Sequence, residues 1–214
     1  MITLKPPFFA ILLLPFLAMS QQTQDSLITQ NLEAVLLRSV KVRSNAPITH
    51  SNVTKADLVL RNLGQDLPYL LNDLPSVVAT SDAGAGIGYT GLRIRGVSAQ
   101  STNITINGIP YNDAESLSTY WVNLPDFSSS VEQLQVQRGV GTSTLGAGAF
   151  GASIAIQTED ATEGAFAEMS HSVGSFNTFK HTLKFSTGLI NDRLSFSGRA
   201  SNIISDGYIA RASS

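Results

Sequence analysis

Two glycine strings and one acidic, aromatic stretch are the places where residue type and spacing could do chemistry. Gly86-Ile-Gly88-Tyr-Thr-Gly91 and Gly146-Ala-Gly148-Ala-Phe-Gly151 both fit GxGxxG. In a dinucleotide site that string follows a strand and opens a helix whose N-terminus meets the pyrophosphate. Here each string runs into a β-prone segment instead, Leu92–Arg95 and Ser153–Gln157, so the glycines read as turn and close-packing positions. No phosphate-loop lysine follows either string, no HExxH occurs, cysteine is absent, and His50, His171 and His181 are isolated in sequence. A metal site would need convergent ligands. Asp113 and Glu115, near Tyr111 and Tyr120-Trp121, form the one polar and aromatic cluster, readable as a solvated loop beside packed aromatics or as a ligand-facing pocket. No catalytic residue, metal or cofactor is expected, and the chain reads as a shaped scaffold, not an enzyme.

The elements that would hold these residues change character along the chain. Thr54 followed by Asp57 is a short form of the capping box ahead of Leu58. Leu67–Leu74 predicts a second helix, with Asp66 as N-cap, Pro68 in the first turn and Pro75 closing it. From Val77 onward strands and glycines dominate. Ile104 and Ile106 alternate with Asn103, Thr105 and Asn107, and Asn107-Gly108 is the pair that accepts positive φ in a type I′ hairpin turn. In Val131–Gln137, Leu134 and Val136 share one face and Gln133, Gln135 and Gln137 the other, and Ile154 and Ile156 predict one more strand. Together these make a small mixed α/β domain over 46–159.

Met1–Ser20 has a lysine at position 5, an apolar run from Phe8 to Met19, and Ala18-Met19-Ser20 ahead of Gln21. That is the layout of a secretory signal peptide, too short to span a bilayer. Residues 21–45 read as a flexible leader carrying one apolar patch, Leu32–Leu37, which is either a first strand or a peptide offered to a partner by strand addition. A net charge of −2 with 14% charged residues excludes the clustered basic face that nucleic acid requires.

Residues 164–214 change texture again. Ala167, Met169, His171 and Val173 alternate with Phe166, Glu168, Ser170 and Ser172; Phe179, Leu183, Phe185 and Leu189 oppose Lys180, Thr182, Lys184 and Ser186; and Leu194, Phe196, Gly198 and Ala200 oppose Ser195, Ser197, Arg199 and Ser201. Gly174-Ser175 and Asn191-Asp192 supply the turns. Ten-residue segments with one apolar and one polar face suit transmembrane β-strands, and equally the edge of a soluble sandwich.

The stretch Leu92–Asp113, LRIRGVSAQSTNITINGIPYND, is answered by Val136–Thr158, VQRGVGTSTLGAGAFGASIAIQT. With Arg95-Gly96 after a short strand, Asn107-Gly108 at a strand end, and Arg138-Gly139 in that order, the pair resembles the plug domain of TonB-dependent outer-membrane receptors. The resemblance runs from about Leu32 to the C-terminus. It implies an α/β plug followed by the first antiparallel strands of a transmembrane β-barrel. It also implies that Leu32, Glu33, Ala34, Val35, Leu36 and Leu37 are the Ton box, with Val40-Lys41-Val42-Arg43 a competing register. The expected partners are a TonB-type inner-membrane energy transducer, outer-membrane lipid and an extracellular nutrient ligand such as a siderophore, haem, cobalamin or a glycan. Tyr111, Asp113, Glu115, Tyr120 and Trp121 would then look toward the extracellular vestibule. Arg93, Arg95 and Arg138 would pair with carboxylates of plug or barrel, a solvated Arg93 being the alternative. Open sheet edges are not tolerated in hydrocarbon, and plugged outer-membrane barrels close with about 22 strands, so the chain is expected to be the N-terminal piece of a longer receptor. The alternative is a soluble periplasmic binding module built on the plug.

Overall fold

The computed structural model describes residues 42, 46–140, 149–191, 193–211 and 213. The signal segment, the candidate Ton box Leu32–Leu37 and the first half of the second glycine string lie outside them. Among the described residues no helix is long and apolar enough to cross a membrane.

The first sheet is mixed. β1 (His50–Thr54) feeds α1 (Lys55–Val59) through a complete capping box: the Thr54 hydroxyl accepts from the Asp57 N–H at 3.4 Å, and the Thr54 N–H donates to Asp57 Oδ2 at 2.9 Å. α2 is shorter than its sequence suggests, Leu67–Leu70, with Pro68 in the first turn. Asp66 precedes it in N-cap position, but its side chain caps nothing; the carboxylate instead accepts from the Thr90 hydroxyl at 2.9 Å. β2 (Val77–Ser81) and β3 (Thr90–Ile94) pair antiparallel on their own. β3 ends one residue before the sequence suggests, because Arg95 turns left-handed (φ 56°) ahead of Gly96 (φ 76°).

β4 (Thr102–Ile106), β5 (Ile109–Pro110), β6 (Val131–Arg138) and β7 (Ala152–Thr158) join β1 in the order β1-β6-β7-β4-β5. β4 and β7 run parallel and the other neighbours antiparallel. Asn107 and Gly108, at φ 51° and 82°, close the two-residue turn between β4 and β5. One face of the sheet carries Leu134, Val136, Ile154 and Ile156 into a core with Leu58, Leu67, Leu71 and Trp121. The other carries Gln133, Gln135 and Gln137, and Gln135 and Gln137 are as buried as the leucines, at 2% and 0% exposure.

The second sheet is an antiparallel meander of β8 (Phe166–Gly174), β9 (Thr178–Ser186) and β10 (Ser197–Ile204). Its tight turn includes Phe176 and Asn177, both at positive φ, beyond the Gly174-Ser175 pair that marks it in sequence. β10 starts three residues later than the alternation suggests, since Leu194 makes only an isolated bridge to Ile190. Burial in this sheet is inverted relative to the first. Lys180, Thr182 and Ser186 are 3%, 7% and 5% exposed, whereas Phe179, Leu183 and Phe185 are 41%, 43% and 46% exposed. The polar row of β9 faces the mixed sheet and its turns. A soluble sandwich would turn it the other way.

Candidate functional site

Where the inverted sheet meets the mixed one, the centre of the contact is Asp126. It follows Pro125, takes a left-handed backbone (φ 52°) that Asp tolerates better than most residues, and opens the 3-10 turn Phe127–Ser130. Its carboxylate is fully buried, with Lys180 Nζ at 2.6 Å from Oδ1 and Arg199 Nη1 at 2.7 Å from Oδ2. The hydroxyls of Ser129 (2.6 Å), Thr182 (3.3 Å) and Ser201 also donate to it. Lys180 Nζ donates further to Asn62 Oδ1 at 2.8 Å. Burial pulls the Asp126 carboxyl up, but the hydrogen bonds of Lys180, Ser129 and Ser201 and the lysine charge outweigh it and hold the group below the ordinary carboxylate value.

A second carboxylate, Glu159, stands just after β7. It accepts from Lys184 of β9 and forms an ion pair, at 2.6 Å, with Lys55 of α1. Burial raises its carboxyl, and the bonds and charges of the two lysines more than reverse that. The acids therefore come from the mixed domain and the bases of both clusters mainly from the strands. Each strand cation sits on a polar row: Lys180 and Lys184 on β9, with Arg199 directly opposite Lys184 on β10. A cavity of ≈ 490 Å³ opens beside the Asp126 cluster, lined by Asp66, Ile87, Asp126, Arg199 and Asn202 among others. Burial pushes the Asp66 carboxyl up to about 6, the bonds from Thr90 and the Gly88 backbone only partly offsetting it.

The residues singled out in the sequence do not all converge. Trp121 is a core residue (3% exposed) and Tyr111 packs half-buried against the same core. Asp113 and Glu115 lie in an exposed loop. There Asp113 accepts from the Ser116 N–H (2.7 Å) and hydroxyl (2.8 Å), which hold its carboxyl low, and the Tyr120 hydroxyl bonds the same serine at 3.3 Å. Asn112 fixes that loop by accepting from the Ile104 N–H at 2.7 Å and donating to the Thr102 and Leu117 carbonyls.

Among the described residues Arg93, Arg95 and Arg138 form no ion pair; Arg138 donates to the Ser51 hydroxyl at 2.7 Å. Arg95 and Gly139 do come together, since a Cβ on Gly139 would lie 2.7 Å from Arg95 Nη1. Gly139 therefore leaves room for the arginine. Two of the histidines also meet: His171 and His181 face each other across β8 and β9, Nδ1 to Nδ1 at 2.5 Å. Among the described residues no three His, Cys, Asp or Glu side chains converge as a metal site.

Asp126 was not singled out in sequence. A Pro-Asp pair reads as a turn, and its cations lie 54 and 73 residues away. The usable signal was on the other side: a strand whose buried row is Lys180, Thr182, Lys184 must find acids on whatever it covers.

The model of the TonB-dependent receptor plug domain matches residues 42–153, just over half of the chain, and the chain belongs to that family. The vitamin B12 transporter BtuB of Vibrio vulnificus is 28% identical over 199 residues, covering 89% of this chain and 30% of the transporter. Among solved structures, the siderophore receptor PirA from Acinetobacter baumannii matches at TM-score 0.55 and 23% identity, over 73% of this chain and 24% of its own. The pyoverdine outer membrane receptor FpvA from Pseudomonas aeruginosa matches at TM-score 0.57 and 18% identity, over 77% of this chain and 23% of its own. The fold is thus an α/β plug followed by strands of the antiparallel barrel. The chain spans less than a third of the length of each of these proteins.

Proposed function

We propose that this chain serves in an outer-membrane receptor that imports a scarce nutrient, with the plug filling the barrel lumen and gating it. The observation that carries the reading is the inverted burial of the three-strand sheet. Lys180, Thr182 and Ser186 are covered by the plug while Phe179, Leu183 and Phe185 face outward, which suits a wall with lipid outside and a polar lumen inside. Transport here makes and breaks no covalent bond. Ligand binds from outside, Leu32–Leu37 is taken up in the periplasm by a TonB-type energy transducer as an added strand, and tension reaches the plug. Asp126 and Glu159 hold the plug to the wall through ion pairs that can be exchanged for water, unlike an interlocked apolar interface. Relatives carry names for vitamin B12 and siderophore uptake, and a ligand of that class fits this reading. The exposed loop with Asp113, Glu115 and Tyr120 is the part of the plug offered to that ligand, while Tyr111 and Trp121 support it from the core. Residues 1–20 direct export and are removed ahead of Gln21.

The test is Val35→Pro in the full-length receptor. Proline removes a backbone donor from an added strand, so uptake should be lost while ligand binding at the cell surface is unchanged. Equal uptake by mutant and wild type would falsify the assignment of Leu32–Leu37 as the coupling segment. Intact-mass measurement of the envelope-fraction protein checks the Gln21 terminus.

A further inference from the structure

Gln135 is buried at 2% exposure on β6, and every hydrogen-bonding position of its side-chain amide is used. Oε1 accepts from the Val42 N–H at 2.7 Å and from Gln137 Nε2 at 3.0 Å. Nε2 donates to the Val42 carbonyl at 3.0 Å and to Asn52 Oδ1 at 2.7 Å. A primary amide has two acceptor and two donor positions, so nothing is left over. It also presents C=O and N–H as a peptide group does, and it satisfies both backbone groups of Val42 as a neighbouring strand would. A true strand neighbour is excluded here, because β6 already has β1 on one edge and β7 on the other. Val42 is therefore docked on the face of the sheet, its backbone bonded by one side chain from 93 positions away and its own side chain buried.

We infer that Gln135 is a latch: it fixes the chain at Val42 to β6 and sets the balance between a held and a released leader. The segment proposed to be taken up by the energy transducer ends five residues ahead of Val42. Among the described residues, tension applied there meets first the hold on Val42, made of the Gln135 amide and the burial of the Val42 side chain. The next element inward is β1, held to β6 by a register of five residue pairs from His50↔Gln137 to Thr54↔Gln133. Two hydrogen bonds yield before a five-pair ladder does, so the latch opens while the plug sheet stays whole. A partner that takes only the released leader has its affinity lowered by the fraction held, and loosening the latch raises that affinity without any new contact.

The experiment uses the full-length receptor without ligand. Lys41 and Arg43 flank Val42, so trypsin cleavage after Arg43 reports the released population, provided opening is fast relative to cleavage. Gln135→Met keeps the volume and removes both bonds to Val42; Val42→Pro removes the Val42 donor at a residue that is buried, 6% exposed, but apart from the main apolar cluster. Each variant should be cut after Arg43 about tenfold faster than wild type, with Arg138 in β6 as resistant as before. Cleavage after Arg43 at the wild-type rate in Val42→Pro, with Arg138 still resistant, overturns the latch. If Gln135→Met exposes Arg138 as well, the sheet itself has opened and Val42→Pro alone decides. Affinity for the periplasmic domain of the transducer is the second readout and rests on the coupling reading above. About tenfold tighter binding in Val42→Pro supports both, whereas faster cleavage with unchanged affinity leaves the latch standing and overturns Leu32–Leu37 as the coupling segment.

Discussion

Leu134 of β6 and Leu183 of β9 are the same residue in the same kind of strand, yet one is 1% exposed and the other 43%. The mixed sheet buries its leucines and isoleucines under α1, α2 and Trp121, as a water-soluble domain does. The three-strand sheet buries Lys180, Thr182 and Ser186 against that domain and turns its leucine and phenylalanines out. Alternation is identical in the two. The difference lies in what each face meets: the plug must hide apolar surface from water, whereas the wall must hide charge from lipid. The contact between them is consequently polar, built on two carboxylates of the mixed domain and three cations of the three-strand sheet.

The sharpest break of this comparison is Asp126→Asn. The amide keeps the tolerance for a left-handed backbone but leaves Lys180 and Arg199 facing a neutral group in a buried site. Removing one partner of a buried pair costs about 3–5 kcal/mol, and this one serves two cations. Denaturant unfolding of the full-length receptor should reveal a loss of that size. A loss no larger than an exposed ion pair gives, below about 1 kcal/mol, would mean the charges are not joined as described.

Next in size is Leu183→Lys. On a lipid-facing strand near mid-bilayer a lysine costs about 2–4 kcal/mol, while on a solvated sheet surface it would change stability by less than about 0.5 kcal/mol. Refolding of the full-length variant into vesicles separates the two, and indifference to the lysine would return the wall strands to water.

Asp66 tests the plug side through pH. Its folded-state carboxyl, at about 6, lies above the unfolded value. The group's contribution is therefore fully present below about pH 4 and is lost as pH rises through about 6, on the order of 2–3 kcal/mol in all. Asp66→Asn should remove that slope, so its stability relative to wild type should rise between pH 4 and pH 8. A parallel pair of stability curves would sink the assignment. Asp126 and Glu159 are held low, so their stabilisation is lost only in stronger acid and does not confuse this window.

What was legible in the sequence was local. The Thr54–Asp57 box, the alternating rows of β8 to β10 and the glycine turns all rest on neighbours within a few residues. The facing of those rows was not legible, because Phe179 and Lys180 would alternate in the same way in a soluble sandwich. Nor were the partners of Lys180 and Arg199, since nothing near Pro125-Asp126 marks it as a buried counter-charge. The aromatic stretch misled for a related reason: Tyr120 and Trp121 are adjacent, but one is half exposed and the other sits in the core. Gln135 and Gln137 read as the polar face of their strand, yet both are interior, Gln135 where its amide bonds the Val42 backbone.

The smallest effect belongs to Gly108, and its interest is that sterics and backbone strain can be told apart there. Asn107 and Gly108 both sit at positive φ, and a Cβ built on Gly108 meets nothing within 4 Å. Any penalty for a side chain must therefore come from the left-handed backbone alone, about 1–2 kcal/mol. Gly108→Ala and Gly108→Val should thus lower the unfolding midpoint by comparable amounts, valine slightly more because its branched Cβ fits positive φ less well. Gly86 is the contrast within the same plug: it too has positive φ, but a Cβ there would lie 2.6 Å from the Tyr69 ring, so Gly86→Ala should cost more than Gly108→Ala. Equal losses at the two glycines would show that Tyr69 gives way, and no loss at Gly108 would mean that the β4–β5 turn does not need its left-handed pair.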